Sequence, residues 1–121
     1  MKQNIIAEKS TSFSVRIINL TRYLKKRKVE AVLTNQLLRS GTSIGANVQE
    51  AIVAITKNEF YAKLSISQKE ARETSHWLKV LHDTKTMSDK EYFSISQDCT
   101  EIEKILWAIM KHSELGQRGK K

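Results

Sequence analysis

No proline occurs anywhere in the chain's 121 residues, and glycine occurs only four times. Proline lacks a backbone N–H and breaks helix interiors, and glycine weakens them by about 1 kcal/mol relative to alanine. A chain almost free of both lacks the usual punctuation of hairpins, while nothing interrupts long helices. No stretch alternates apolar and polar residues between turn signals, so no strand is expected.

The apolar residues recur at helical spacing instead. Phe13, Ile17, Leu20 and Leu24 make the stripe of a first helix over residues 11–28, with Arg22 and Lys26 on the opposite face and Ile5 and Ile6 placed to extend or staple it. Leu33, Leu37, Ile44, Val48, Ala51 and Ile55 mark a second helix that starts at Val29 or Glu30 and ends at Ile55. Phe60, Leu64, Ser67, Ala71 and Leu78 mark a third over residues 57–83. Its Ile66, Trp77 and Val80 lie off that face, which suits a helix with two neighbours, one of them from another subunit. Tyr92, Ile95, Cys99, Ile102, Leu106 and Ile109 mark a fourth over residues 89–113, with Gly116 placed to end it. Thr56 with Glu59, and Ser88 with Glu91, read as capping boxes. These elements predict an all-α fold, an antiparallel up-and-down four-helix bundle, as one domain over residues 1–115 with a basic flexible tail over 116–121.

Gly41 and Gly45, in the run SGTSIGAN, share a face of the second helix. That spacing permits close backbone approach by a neighbour, a bend, or a break into two helices. The polar flanks rule out the membrane-dimer version of the same motif. Apolar runs are too short for a membrane span, and MKQNIIAEKS lacks a signal-peptide core. A single cysteine builds neither a disulfide framework nor a cysteine-rich zinc site. A cytoplasmic protein is expected.

Charge supplies the functional lead. The chain carries 21 Lys and Arg against 13 Asp and Glu, a net +8. Residues 1–57 hold ten basic and three acidic side chains, whereas residues 58–115 hold eight and ten. The densest cluster is Lys25, Lys26, Arg27 and Lys28, one turn after Arg22, and Arg118, Lys120 and Lys121 add a second group in the tail. Cations at a helix C-terminus complement its dipole locally. A surplus spread over the whole domain points to a polyanion, nucleic acid first. Contacts of this kind go to phosphates, giving steep salt dependence and little sequence preference. Of the aromatic residues, Tyr23 and Tyr61 are the candidates for exposed base stacking.

Reaction chemistry is sparse. Glu73-Thr-Ser-His76 is a single Glu-x-x-His, whereas di-iron bundles use two such motifs plus two further glutamates, so no metal is expected. Cys99 sits in an apolar stripe, where cysteine acts as a small hydrophobe. His82 and His112 lie near helix ends and suit capping or surface roles. No catalytic residue and no cofactor are expected. Arg39 is the only basic residue between Lys28 and Lys57 and calls for a structural ion pair with Glu50, Glu70 or Glu73.

The runs LTNQLLRSGTSIGANVQEA, residues 33–51, and EFYAKLSISQKEARETSHWLKVL, residues 59–81, resemble the bacterial four-helix-bundle family of proteins encoded in 23S rRNA intervening sequences. Arg39, Ser40, Gly41, Ser43, Gly45, Ala46, Asn47 and Glu50 carry the first motif, and Lys69, Glu70, Arg72 and Glu73 the second. A looser, architectural similarity links the chain to the accessory variability determinant proteins of diversity-generating retroelements. The resemblance implies an up-and-down bundle that assembles as a ring-shaped homopentamer, and the looser relatives bind nucleic acid and a reverse transcriptase. It implies no catalytic residue. A ring of five would multiply the +8 charge fivefold. The expected function is therefore a non-enzymatic homo-oligomer that binds nucleic acid, RNA before DNA. The alternative is a protein-interaction scaffold or accessory subunit for a nucleic-acid enzyme such as a reverse transcriptase.

Overall fold

A computed structural model describes the backbone of residues 2–119 and the side chains of residues 5–112. The elements are α1 (Lys2–Lys26), α2 (Ala31–Ile52), α3 (Lys57–Asp83) and α4 (Asp89–Gly119). Each helix packs on two others, α1 on α2, α2 on α3, α3 on α4 and α4 on α1. Short turns make successive helices antiparallel, so this closed cycle is an up-and-down four-helix bundle.

The stripes meet in one core. Phe13, Ile17, Leu24, Leu37, Ile44, Val48, Leu64, Leu78 and Leu106 are each at most 1% exposed. Buried hydroxyls lock the α2–α3 seam. Ser67 Oγ donates to the Ile44 carbonyl at 2.9 Å, and Thr74 Oγ1 donates to Ser40 Oγ at 2.9 Å. Every buried side-chain N or O among the described residues has a partner, as a stable interior requires.

Three boundaries differ from the sequence reading. Helix α1 begins at Lys2 rather than near Thr11, because Ile6, 1% exposed, continues the stripe two turns before Phe13. Helix α2 ends at Ile52, and Ile55 is 93% exposed rather than part of the core. The Ile55 N–H is taken by the Glu59 carboxylate at 3.2 Å, which commits this residue to the start of α3. Helix α4 passes Gly116 and runs to Gly119. Across SGTSIGAN α2 is continuous, without a break. Thr42, Ser43 and Asn47 there bond back to carbonyls one turn earlier, at 2.7, 2.6 and 2.9 Å.

The Ser88–Glu91 capping box forms in full, whereas at Thr56 only the hydroxyl half forms, because the Glu59 carboxylate takes the Ile55 N–H instead of the Thr56 N–H. Thr56 Oγ1 accepts from the Glu59 N–H at 3.1 Å. Ser88 Oγ accepts from the Glu91 N–H at 3.1 Å, and the Glu91 carboxylate accepts in return from the Ser88 N–H at 2.8 Å. At their other ends α1 and α3 close alike. The Val29 N–H reaches the Leu24 carbonyl at 3.1 Å and the Thr86 N–H reaches the Leu81 carbonyl at 2.9 Å, the Schellman pattern. This places Lys28 (φ 63°) and Lys85 (φ 62°) in the left-handed region, where glycine is the less strained residue. Lys28→Gly and Lys85→Gly are each expected to raise stability by roughly 0.5–1 kcal/mol in urea unfolding. A loss would show that these side chains make stabilising contacts of their own.

Candidate nucleic-acid interface

The basic cluster occupies the last turns of α1 and the turn into α2, where Arg22, Lys25, Lys26, Arg27 and Lys28 are all exposed. Arg27 is partly engaged. Its Nη1 lies 3.9 Å from Glu91 Oε1 and 3.4 Å from the Tyr23 hydroxyl, and its guanidinium sits 5.4 Å from the Tyr23 ring centroid. The Ser88 backbone N–H holds the Glu91 carboxyl below the usual carboxylate range, with Arg27 and Tyr23 adding to the effect. Arg27 thus ties the end of α1 to the start of α4. Arg22, Lys25, Lys26 and Lys28 have no carboxylate within 4 Å among the described residues. Their charge is available to an outside anion.

Arg118, Lys120 and Lys121 have side chains outside the described residues. Helix α4 starts at the Lys28 end and runs away from it, and α1 alone spans 25 residues, about 37 Å.

Arg39 pairs across the α2–α3 seam. Its Nη1 donates to Glu70 Oε2 at 3.0 Å, its Nη2 pairs with Glu73, and its Nε donates to Gln36 Oε1 at 3.2 Å. Glu73 also accepts from Trp77 Nε1 at 3.0 Å. Glu50 is not a partner, because it lies eleven residues along the same helix and on its exposed surface, about 16 Å away. Arg39 is itself 48% exposed, so water screens the pair. Arg39→Ala is expected to cost about 1 kcal/mol in urea unfolding, with the loss shrinking at high salt. Gly41 and Gly45 face α1. A Cβ on Gly41 would lie 2.8 Å from Ile17 Cγ1, and one on Gly45 would lie 3.2 Å from the Ser10 carbonyl oxygen.

Cys99, His82 and Glu73 have structural partners. Burial pushes the Cys99 thiol up to about 12, with Glu103 and Asp98 adding to it, and Sγ donates to the Ala71 carbonyl at 3.5 Å. His82 Nε2 lies 2.7 Å from Asp89 Oδ1, and its ring stacks on Tyr92 at 4.1 Å, joining the end of α3 to the start of α4. His112 is exposed. Glu73 is engaged by Arg39 and Trp77, and among the described residues no three His, Cys, Asp or Glu side chains gather to hold a metal.

The aromatic assignment changes. Tyr61 is half-buried with its ring edge-on to Phe60 at 5.0 Å, and Tyr23, 46% exposed, is taken up by Arg27. Phe93 and Trp107, 63% and 57% exposed, are more open to solvent than Tyr23, and Trp107 likewise carries a cation, Lys111, over its ring. Trp107 lies beside Leu106 and between Lys104 and Lys111 at helical spacing, a sequence signal that it faces away from the core.

The fold and its charged end define a basic, all-α four-helix bundle. The chain belongs to the 23S rRNA-intervening sequence protein family, which matches residues 2–108. A crystal structure of a protein with unknown function from the S23 ribosomal protein family, from Bacteroides thetaiotaomicron VPI-5482, is similar at 47% identity and a TM-score of 0.89. The similarity covers 92% of this chain and 99% of that one. No curated protein matches. Neither the family description nor the neighbour's names an enzymatic activity. Among the described residues no helix is long and apolar enough to cross a membrane.

Proposed function

We propose that this protein is a non-enzymatic, cytoplasmic homo-oligomer that binds nucleic acid, RNA in preference to DNA, through phosphate contacts at the end of α1. One observation carries the reading. Four exposed cations, Arg22, Lys25, Lys26 and Lys28, crowd one end of the bundle with no carboxylate to neutralise them among the described residues. Binding releases the counterions condensed on the phosphates. The family's tie to 23S rRNA favours RNA. Resemblance to ring-forming bundles favours a homopentamer, in which five such ends would act together. Exposed Ile52, Val53 and Ile55, at 44, 72 and 93%, offer apolar surface for such contacts at the opposite end.

The test is RNA binding by filter retention across a salt series, alongside mass measurement in solution. With four contacts per protomer, log K is expected to fall against log salt with a slope of about −3 for each engaged end. Absence of binding at low salt overturns the reading. The same exposed apolar turn favours a second reading, an accessory subunit for a nucleic-acid enzyme such as a reverse transcriptase. That reading prevails if the purified protein binds no RNA at low salt while one protein partner is recovered with it.

A further inference from the structure

Away from the α1 end, the α3–α4 seam holds a groove of about 550 Å³, a volume within the range of small-ligand sites. Lys69 and Arg72 line it from α3, and Glu103, Lys104 and Trp107 from α4. The bond from Cys99 Sγ to the Ala71 carbonyl fixes this register, so one helical turn later α4 sets Glu103 opposite Arg72 and Lys69, and Trp107 follows a turn beyond.

The composition is unusual for an exposed seam. Lys69, Arg72 and Lys104 have no carboxylate within ion-pair distance among the described residues. Lys111 adds a fourth cation, its Nζ 4.7 Å from the Trp107 ring centroid. Against these stands one carboxyl, Glu103, which burial raises above the usual carboxylate range while Arg72 pulls it down. A half-exposed indole with Lys111 over its ring and three cations without carboxylate partners beside it suits a ligand with a flat aromatic face and negative charge. Single-stranded nucleic acid has both at every residue, whereas a duplex keeps its base faces stacked inside.

We propose that this groove holds an unpaired nucleotide of single-stranded RNA, its base stacked on Trp107 and its flanking phosphates set against Lys69, Arg72 and Lys104. This rests on the reading that the protein binds RNA, and it adds a preference for unpaired segments that the α1 end by itself would not impose. The groove is a separate site, since α1 packs on α2 and α4 and not on α3, and Lys104 lies fifteen residues into α4 from Asp89, about 20 Å from the basic end.

The experiment uses the intact protein, a short single-stranded oligoribonucleotide and the same sequence annealed into a duplex. In a Trp77→Phe variant, Trp107 is the sole tryptophan. Its fluorescence is expected to be quenched by the single strand and much less by the duplex. In the otherwise intact chain, Trp107→Leu should weaken single-strand binding about tenfold and Trp107→Tyr should restore most of it, following the contribution of one stacked base. Circular dichroism confirms that both variants fold. Single-strand binding with no quenching, or with no loss in Trp107→Leu, overturns the groove and leaves the α1 end standing. A Trp107 already shielded from acrylamide in free protein shows a second copy in the groove and also overturns it. If neither RNA binds at low salt, both readings fall.

Discussion

Reversing the four charges at the end of α1, with Lys25→Glu, Lys26→Glu, Arg27→Glu and Lys28→Glu together, is expected to lower RNA affinity at least about 100-fold at 0.1 M salt and to flatten the salt slope by about 2, three of the four phosphate contacts being lost. The substitutions change the formal charge by eight and so bring the chain's +8 to zero. Loss of a general attraction therefore accompanies loss of the local contacts, and the two must be separated. The tail separates them. Reversing Arg118, Lys120 and Lys121 changes the net charge by six and leaves the residues of the α1 end unchanged. If the α1 end is the site, the tail variant loses much less affinity and keeps most of its slope. Equal losses would mean that net charge alone drives binding. Arg27 needs separate treatment because it lies 3.9 Å from Glu91. Reversing it sets a carboxylate at the α1 C-terminus and beside Glu91, which costs stability. The triple variant that retains Arg27 should lose less stability than the quadruple one, since only the dipole effect of Lys25 and Lys26 in the last turn of α1 is reversed, and should still lose most of the binding.

What could be read from the sequence depended on whether the signal was local. Helix α3 spans Lys57–Asp83 as its caps indicate, because the hydroxyl and carboxylate that start it lie within four residues of each other. The start of α1 was hidden for a packing reason. The stripe passes through Ser10, which is fully buried, and its carbonyl oxygen lies 3.2 Å from where a Gly45 Cβ would stand. Only a small residue fits there, and a serine reads as surface. Ile55 misled in the opposite direction, since it stands four residues after buried Ala51 and continues the apolar period. Its N–H nonetheless belongs to the cap of α3. Choosing among three carboxylates for Arg39 required the α2–α3 register, which the Ser67–Ile44 and Thr74–Ser40 bonds set. The α3–α4 groove required a register of the same kind. Lys69 and Arg72 are more than thirty residues from Trp107, and no local pattern joins them.

Gly41→Leu is expected to destabilise the bundle by about 3 kcal/mol or more, and Gly41→Ala by about 1 kcal/mol, in urea unfolding followed by helical circular dichroism. The sign for alanine is the informative part. In an exposed helix the change would gain about 1 kcal/mol of propensity. Here the new Cβ would stand 2.8 Å from both Ile17 Cγ1 and Cγ2 and 3.2 Å from Ile17 Cβ. Ile17 is fully buried and a packed interior leaves little room to yield, so the new Cβ requires α1 to shift or Ile17 to strain. Overpacking of this kind costs about 1–3 kcal/mol, more than the propensity returns. Ile17→Ala removes both clashing atoms and by itself costs about 2–5 kcal/mol through the cavity it leaves. The double variant, Ile17→Ala with Gly41→Ala, should then be more stable than the sum of the single losses by about 1 kcal/mol or more, because each change relieves the defect of the other. All variants are compared at one protein concentration, since an oligomer's stability depends on it. A stabilising Gly41→Ala, or additive losses in the cycle, would mean that α1 does not approach α2 this closely, and would remove the packing reason for a glycine at position 41.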